Sequence, residues 1–137
     1  MSSSRPVTVA LIVAGGSLGT FVRWWLESSF PTPTGGWPWT TFAINLTGSL
    51  LLGVLLDSLA ATGEGVGWRR YVRLGVGTGV LGGYTTYSTF AVEAVQLGRA
   101  GSAGLMLLYG AGSVVLGIAL AYAGGWSVRH LYRRTRR

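Results

Sequence analysis

Hydroxyl-bearing and aromatic side chains cluster in the middle of an otherwise apolar stretch of this 137-residue chain. Two adjacent glycines, Gly82 and Gly83, come first, five hydroxyl-bearing residues occupy positions 85–89, and Phe90 follows. Neighbouring glycines loosen a helical backbone. At membrane depth, irregular backbone and dense polar side chains persist only where protein buries them or where they line a water-filled path. This stretch is therefore the first candidate for a functional site, and the chemistry it offers is hydrogen bonding along a path.

Polar residues of the neighbouring apolar segments add to this candidate site. Thr41, Asn45 and Ser49 are spaced four apart, so they share one face of a helix. A buried amide in a membrane must find partners, so Asn45 either holds two helices together or faces a pathway. Glu93 follows Phe90 by one turn. A carboxylate inside a membrane indicates ion handling, whereas one at the end of a span is simply solvated.

Arg23 closes the first apolar segment, after a glycine-rich run at positions 15–22. Its side chain either reaches back to the membrane surface or supplies positive potential at the mouth of an anion path. Asp57 lies near the end of the second segment and is predicted to be interfacial. Glycines four apart, such as Gly15 with Gly19 and the series 75, 79 and 83, predict close packing between helices.

The composition excludes the common kinds of enzyme site. The chain has four acidic residues, one histidine and no cysteine. These residues do not assemble into a Ser/His/Asp set, a carboxylate pair or a multi-histidine metal site. The glycine-rich runs are not followed by the Gly-Lys-Ser/Thr of a phosphate loop. We therefore expect a transport protein that is not an enzyme.

Four apolar segments each reach the roughly 20 residues that a helix needs to cross a bilayer. The Gly-Gly-Tyr-Thr-Thr sequence in the middle of the third segment predicts two half-helices around a break. The sequence thus predicts an all-α membrane protein, a single domain of four spans with the third broken mid-membrane. The spans cover about 7–26, 40–61, 71–97 and 103–128, and a basic C-terminal tail occupies 129–137.

Tryptophans and arginines predict how the spans sit in the membrane. All six tryptophans fall at segment ends, as in the aromatic belts at the two membrane surfaces. Only Arg23 and Arg99 lie on the side opposite both termini, and the other nine arginines lie with the termini. Because basic loops stay in the cytoplasm, both termini are predicted to be cytoplasmic, in a multi-pass protein of the cell (inner) membrane. The nine are Arg5, Arg69, Arg70, Arg73, Arg129, Arg133, Arg134, Arg136 and Arg137.

Three parts of the sequence resemble the signatures of the CrcB/Fluc family of fluoride ion channels. They are Arg23 with the glycine-rich run before it, the segment 41–48 that contains Asn45, and the segment 82–90. Chain length, the four spans and the loop positions are similar too, so the resemblance covers nearly the whole chain.

The resemblance implies a dimer of two four-span chains inserted antiparallel, with two fluoride pores along the interface. It also implies a structural sodium ion at the centre, held by the backbone carbonyls of Gly82 and Thr85. A passive path would let the inside-negative potential expel fluoride, at about 2.3 kcal/mol per charge per 100 mV. The positions that the resemblance places along the fluoride pathway are Asn45, Tyr87, Phe90, Ser88, Thr89, Glu93, Thr41, Arg23 and Tyr109.

Two features depart from the family pattern. Tyr87 occupies a position of the family's phenylalanine box, which adds a hydroxyl at the far end of the ring. The arginine bias of nine to two favours one fixed orientation, whereas an antiparallel homodimer needs chains that insert both ways. The partner is therefore either a second copy of this chain or an oppositely oriented paralogue.

Other classes of protein fit the sequence less well. A small proton-coupled multidrug exporter of four spans needs a carboxylate in its first span, and none lies between positions 7 and 26. A noncatalytic membrane scaffold with a DNA-binding basic tail would use the net charge of +7. The arginines flank membrane spans, however, so the membrane itself accounts for them. Neither alternative explains why Asn45 and the 82–90 stretch occur together.

Overall fold

The computed structural model describes residues 4–63 and 67–135, and all the regular structure in these ranges is helical. Three helices are long and apolar enough to cross a membrane, over Arg5–Ser29, Trp39–Ala61 and Ala103–Arg134. The prediction of an all-α, multi-pass membrane protein is therefore confirmed. In chain order the elements are α1 (Ser4–Ser29), α2 (Trp39–Ala61), α3 (Trp68–Val72), a π-helical segment (Arg73–Leu81), α4 (Gly82–Tyr84), α5 (Ser88–Arg99) and α6 (Ala103–Thr135).

The third apolar stretch is helical in pieces. Helical backbone continues without interruption from α3 through the π-helical segment into α4, since Arg73 and Gly82 both have right-handed helical dihedral angles. The helix stops at Thr85, where φ is −75° and ψ is 159°, and α5 begins at Ser88. Residues 85–87 therefore form a non-helical interruption between two helical parts.

The interruption begins after the glycine pair, in the C-terminal part of the Gly-Gly-Tyr-Thr-Thr sequence that was predicted to contain the break. Gly82 is helical, with φ −65° and ψ −35°. A Cβ atom on Gly83 would run into the carbonyl oxygen of Gly16 on α1. Gly83 is therefore required by the close approach of α1 to the helix and not by an unusual backbone conformation.

Side-chain contacts define the two ends of the bundle. At one end, which we call the Glu93 end, Glu93 of α5 meets Thr41 of α2 and Tyr109 of α6. At the other, the Arg129 end, Arg129 of α6 pairs with Asp57 of α2. Both contacts join α2 to α6 at matching ends, so these two helices run parallel.

The stretch from α3 to α5 also runs from one end of the bundle to the other. Arg69 of α3 donates hydrogen bonds to Thr62 at the Arg129 end, and Glu93 of α5 receives one from Thr41 at the Glu93 end. The stretch therefore covers the same length of the bundle as α2, in the opposite direction.

Glycines allow α1 to lie directly against the π-helical segment. A Cβ on Gly15 would overlap the carbonyl oxygen of Gly75, and one on Gly19 would overlap that of Val80. A Cβ on Gly79 would lie 3.1 Å from the Cα of Gly15. Small residues at such positions let backbones touch in a lipid environment, where close packing drives helix association. The predicted packing role of these glycines is confirmed.

A second glycine contact, between α2 and α6, was not predicted. A Cβ on Gly53 would overlap the carbonyl oxygen of Ala121, and one on Gly124 would lie 2.5 Å from the carbonyl oxygen of Leu50. The ion pair of Asp57 with Arg129 closes this helix pair at its C-terminal end. Asp57 is thus near the end of α2, as its predicted interfacial position requires.

Candidate functional site

The side chain of Asn45 is paired with the backbone of the interruption. Its Nδ2 donates to the carbonyl oxygen of Thr86 at 2.9 Å, and its Oδ1 accepts from the Thr86 N–H at 2.9 Å. Because residues 85–87 are not helical, these backbone groups lack helical partners, and leaving them unpaired at membrane depth would be strongly unfavourable. The amide group of Asn45 therefore stabilises the interruption, and its second N–H makes no hydrogen bond within residues 4–63 and 67–135.

Arg23 and Thr20 of α1 hold the end of the helical part before the interruption. Nε of Arg23 donates to the carbonyl oxygen of Gly83 at 3.1 Å, and the Thr20 hydroxyl donates to the same oxygen at 3.4 Å. A carbonyl in the last turn of a helix has no partner within that helix. Nη1 of Arg23 also lies 3.7 Å from Oε2 of Glu27. Arg23 thus contacts the backbone of the interrupted helix, and its effect on an anion path stays a prediction.

Thr86 organises the start of α5 on the other side of the interruption. Its Oγ1 accepts a hydrogen bond from the backbone N–H of Thr89 at 3.1 Å, which satisfies a donor in the first turn of the new helix from one residue before its N-cap, Tyr87. The same hydroxyl lies 3.1 Å from the Thr89 hydroxyl and 3.3 Å from that of Ser88. Ser88 and Thr89 were predicted to line the fluoride pathway, whereas Thr86 was named only as one of the five hydroxyl-bearing residues of the candidate stretch. Its position beside the break was visible in the sequence, but its contact with the Thr89 N–H depends on where α5 begins.

Glu93 accepts hydrogen bonds at both carboxyl oxygens. The Thr41 hydroxyl donates to Oε1 at 2.8 Å, and the Tyr109 hydroxyl donates to Oε2 at 2.7 Å. Both donors are buried. The structure therefore brings together three predicted site residues from three different helices.

Aromatic rings surround the buried Tyr109. The ring centroids of Trp37 and Phe90 lie 5.5 Å and 5.1 Å from that of Tyr109. Tyr87 lies beyond Phe90, with a centroid distance of 6.1 Å. Phe90 is partly buried, but Tyr87 is 81% exposed on the surface of the single chain. The rings therefore form a row that leads from the surface to the Glu93 end.

Two cavities flank this row of rings. The first, which we call the groove, has a volume of about 370 Å³ and is lined by Asn45, Thr85, Tyr87 and Phe90 among others. The second, which we call the vestibule, measures about 730 Å³ and lies at the Glu93 end. Thr89 and Phe90 are neighbours on α5 and line the vestibule and the groove, respectively. The polar residues that line the vestibule include Glu27, Thr40, Thr41, Thr89, Glu93, Gln96 and Arg99.

Ser113 of α6 also lines the groove and was not among the predicted residues. Its hydroxyl oxygen is buried and has no hydrogen-bond partner within the described ranges. Ser113 follows Tyr109 by four residues, so it lies on the same face of α6. That spacing was the only sequence signal that could have suggested it.

The carbonyl oxygens of Gly82 and Thr85 are the predicted sodium ligands. Within residues 4–63 and 67–135, these two oxygens accept no hydrogen bond. Hard cations prefer oxygen ligands, and uncommitted carbonyls can supply them. The two positions therefore fit a cation site, although two oxygens from one chain are too few to complete a coordination shell.

Three helices of membrane-spanning length and a hydrogen-bonded interruption define a small multi-pass membrane protein without an enzyme-like site in its described residues. Residues 10–125 match the family described as "CrcB-like protein, Camphor Resistance (CrcB)", and the chain belongs to this family. The resemblance inferred from the three motifs is thus confirmed.

Several relatives match most of the chain. The protein named fluoride-specific ion channel FluC 1 of Cutibacterium acnes is 45% identical over 118 residues, which cover 86% of this chain and 82% of the relative. A FluC protein of Novosphingobium aromaticivorans is 43% identical over 118 residues, covering 84% and 90%, respectively. FluC 2 of Leifsonia xyli is 45% identical over 127 residues, covering 89% and 87%. These relatives are named as ion channels, and the family is not enzymatic.

Proposed function

We propose that this chain forms a fluoride-selective channel that passively exports cytoplasmic fluoride and so lowers its toxicity. The observation that supports this most is the pairing of Asn45 with Thr86. It stabilises a break in the helix at the point where exposed rings, hydroxyl groups and two cavities meet. The names of the relatives supply the identity of the ion.

The side chains between the groove and the vestibule suit a small, strongly hydrated anion. Such an ion gives up water only where hydrogen-bond donors replace it, and the hydroxyls of Ser88 and Thr89 are donors of this kind. The hydroxyls of Thr41 and Tyr109 donate to Glu93 and would have to turn away from it to reach the ion. The edges of the Tyr87 and Phe90 rings carry positive charge and can face the ion between donors. An ion that moves along α5 would pass from the groove, beside the second N–H of Asn45, to the vestibule.

A second chain is needed to enclose this path. Tyr87 is 81% exposed, and it lines a groove that lies on the surface of the single chain. We infer an antiparallel dimer of four-span chains, with each third span broken mid-membrane and the pores along the interface. The same arrangement would bring Gly82 and Thr85 of both chains together, which gives four carbonyl oxygens for a central, structural sodium ion.

The partner is a second copy of this chain or an oppositely oriented paralogue. The nine arginines on the side of the termini favour a single orientation, with both termini in the cytoplasm. At the opposite end, the vestibule is lined by Arg99 but also by Glu27 and Glu93. A fixed orientation would require the paralogue.

The direct test is fluoride efflux from liposomes that contain the purified protein, alone or with an oppositely oriented paralogue. We expect efflux that is rapid for fluoride and negligible for chloride, and that falls when N-methylglucamine replaces sodium. Asn45→Leu serves as the defective variant, because it removes both hydrogen bonds to Thr86. The proposal is wrong if neither preparation releases fluoride in sodium. Sodium-independent efflux would remove only the cation site from the proposal.

A further inference from the structure

A cluster of aromatic and basic side chains lies at the Arg129 end of α6, far from the interruption. Tyr122, Trp126, Arg129, His130 and Arg133 line a cleft of about 220 Å³. Their spacing of four, seven, eight and eleven residues from Tyr122 places them on one face of the helix. The proposed path for fluoride uses none of them.

The aromatic part of this cleft is held in place by ring contacts. The rings of Trp126 and His130 are stacked, with centroids 5.1 Å apart and an angle of 17° between their planes. The Arg129 guanidinium lies over the Tyr122 ring, 5.6 Å from its centroid. The cleft thus has a rigid aromatic floor with two guanidinium groups at its rim.

The charges of the two arginines are not equivalent. Arg129 is paired with Asp57 of α2, which fixes its position and offsets its charge. Arg133 makes no ion pair within residues 4–63 and 67–135. Among the described residues, the cleft therefore keeps one positive charge without a carboxylate partner, next to a guanidinium that is already oriented, and this combination suits a phosphate group.

The surroundings of the cleft are those of the lipid headgroup layer. Trp126 is 53% exposed near the end of the apolar part of α6, where tryptophan marks the membrane surface. Side chains on a helix point toward its N-terminus, so Arg133 reaches back toward the bilayer. Below the cleft, Ile118 is also exposed one turn before Tyr122. An apolar strip therefore continues from the cleft along α6 into the hydrocarbon region.

We propose that this cleft binds the headgroup phosphate of an anionic phospholipid, whose acyl chain lies along α6 beside Ile118. The charge of Arg133 selects an anionic headgroup, the stacked rings cover its apolar atoms, and the strip below accepts the chain. A free phosphate ion would use the charge but not the strip. This binding is independent of fluoride conduction and holds whether or not the channel function is confirmed.

The test is native mass spectrometry of the full-length protein in detergent, titrated with phosphatidylglycerol or phosphatidylcholine. We expect phosphatidylglycerol to be retained selectively, and Arg133→Gln to weaken its binding about fivefold, which corresponds to about 1 kcal/mol per basic residue near a membrane surface. Arg134→Gln is the matched control, because it removes the same charge from a residue that does not line the cleft. Thermal melting should show that both variants are folded.

Three outcomes would overturn the proposal. Equal retention of the two lipids would show that the headgroup charge is not recognised. Equal losses in the Arg133 and Arg134 variants would show diffuse attraction in place of a site. Complete displacement of phosphatidylglycerol by millimolar inorganic phosphate would show that the cleft binds free anions and that the apolar strip contributes nothing.

Discussion

The side-chain amide of Asn45 and the backbone of Thr86 form a two-way hydrogen-bonded pair, with both donor–acceptor distances at 2.9 Å. The pair resembles two backbone amide groups that exchange hydrogen bonds, although one of the two amides is a side chain. It links α2 to the segment between α4 and α5. The side chain of Asn45 thus uses one donor and its acceptor on a single residue of the interruption.

Replacing Asn45 should destabilise the interruption and stop fluoride efflux. Asn45→Leu removes both hydrogen bonds and leaves the N–H and carbonyl of Thr86 buried without partners, at a cost of about 1–3 kcal/mol for each group. Asn45→Asp keeps an acceptor for the Thr86 N–H but turns a negatively charged oxygen toward the Thr86 carbonyl. We expect both variants to melt at a lower temperature in detergent and to lose fluoride efflux in liposomes.

Ser127→Ala is a suitable control for these variants. The Ser127 hydroxyl donates to the carbonyl of Ala123 within α6, so its removal breaks a side-chain hydrogen bond that joins no two helices. The melting temperature of this variant should stay close to that of the wild type. An Asn45→Leu protein that melts with the wild type would contradict the role assigned to the pair.

Gly83→Ala should destabilise the protein through backbone contact alone. The added methyl group would meet the carbonyl oxygen of Gly16, and neither backbone can move freely. Overpacking of this kind costs about 1–3 kcal/mol. Gly104→Ala in α6 is the matched control, because a Cβ there has no atom within 4 Å. Thermal melting of the two variants should separate them, and similar melting temperatures would argue against the packing of α1 described above.

Tyr109→Phe should slow fluoride efflux while the protein remains folded. The variant keeps the ring contacts with Phe90 and Trp37 but removes the hydroxyl that donates to Glu93. A lost hydrogen bond of about 1.4 kcal/mol corresponds to a tenfold effect. Efflux rates in liposomes give the measurement. Tyr71→Phe is the control, since the Tyr71 hydroxyl makes no hydrogen bond within the described part of the chain. Equal rates for the two variants would remove Tyr109 from the path.

Tyr87 should contribute through its ring and not through its hydroxyl. Tyr87→Phe keeps the ring edge and should conduct within about twofold of the wild type. Tyr87→Ile removes the edge, and an aromatic contact worth about 0.5–1.5 kcal/mol predicts efflux about two- to tenfold slower. If Tyr87→Phe alone stops efflux, the hydroxyl is a donor in the path, and the edge-based role is wrong.

The orientation of the chain can be read with reporters fused to the C-terminus, one active only in the cytoplasm and one only outside it. The arginine bias predicts activity from the cytoplasmic reporter alone. Such a result would make a paralogous partner necessary for an antiparallel dimer. Equal activity from both reporters would instead support a homodimer of chains that insert in both directions.

The fold class was predictable because apolar segments of bilayer length have few alternatives to the helix. The interruption was predicted within the Gly-Gly-Tyr-Thr-Thr sequence, but its first residue was not predictable. A glycine that loosens the backbone and a glycine that admits a neighbouring helix look the same in one sequence, and Gly83 is of the second kind. Only the position of Gly16 on α1 distinguishes them.

Most residues of the site were predicted from the sequence, but their contacts were not. Thr41, Glu93 and Tyr109 were all named from the sequence, but their convergence depends on the parallel packing of α2 and α6. Thr86 was part of the candidate stretch, but its contact with the Thr89 N–H was not predicted, because it depends on where α5 begins. Arg23 was named for its charge, yet its clearest contact in the structure is with the Gly83 carbonyl.

Among the described residues, the hydrogen bonds that join residues 82–87 to other helices come from residues that precede them in the chain. Thr20 and Arg23 belong to α1 and Asn45 belongs to α2, whereas residues 85–87 come later. Proteins are synthesised from the N-terminus, and their earlier parts can be organised first. The polar segment is therefore synthesised after the helices whose side chains form hydrogen bonds with it. Placing the same segment ahead of α1 and α2, by circular permutation, would expose its free amides to lipid before any partner existed.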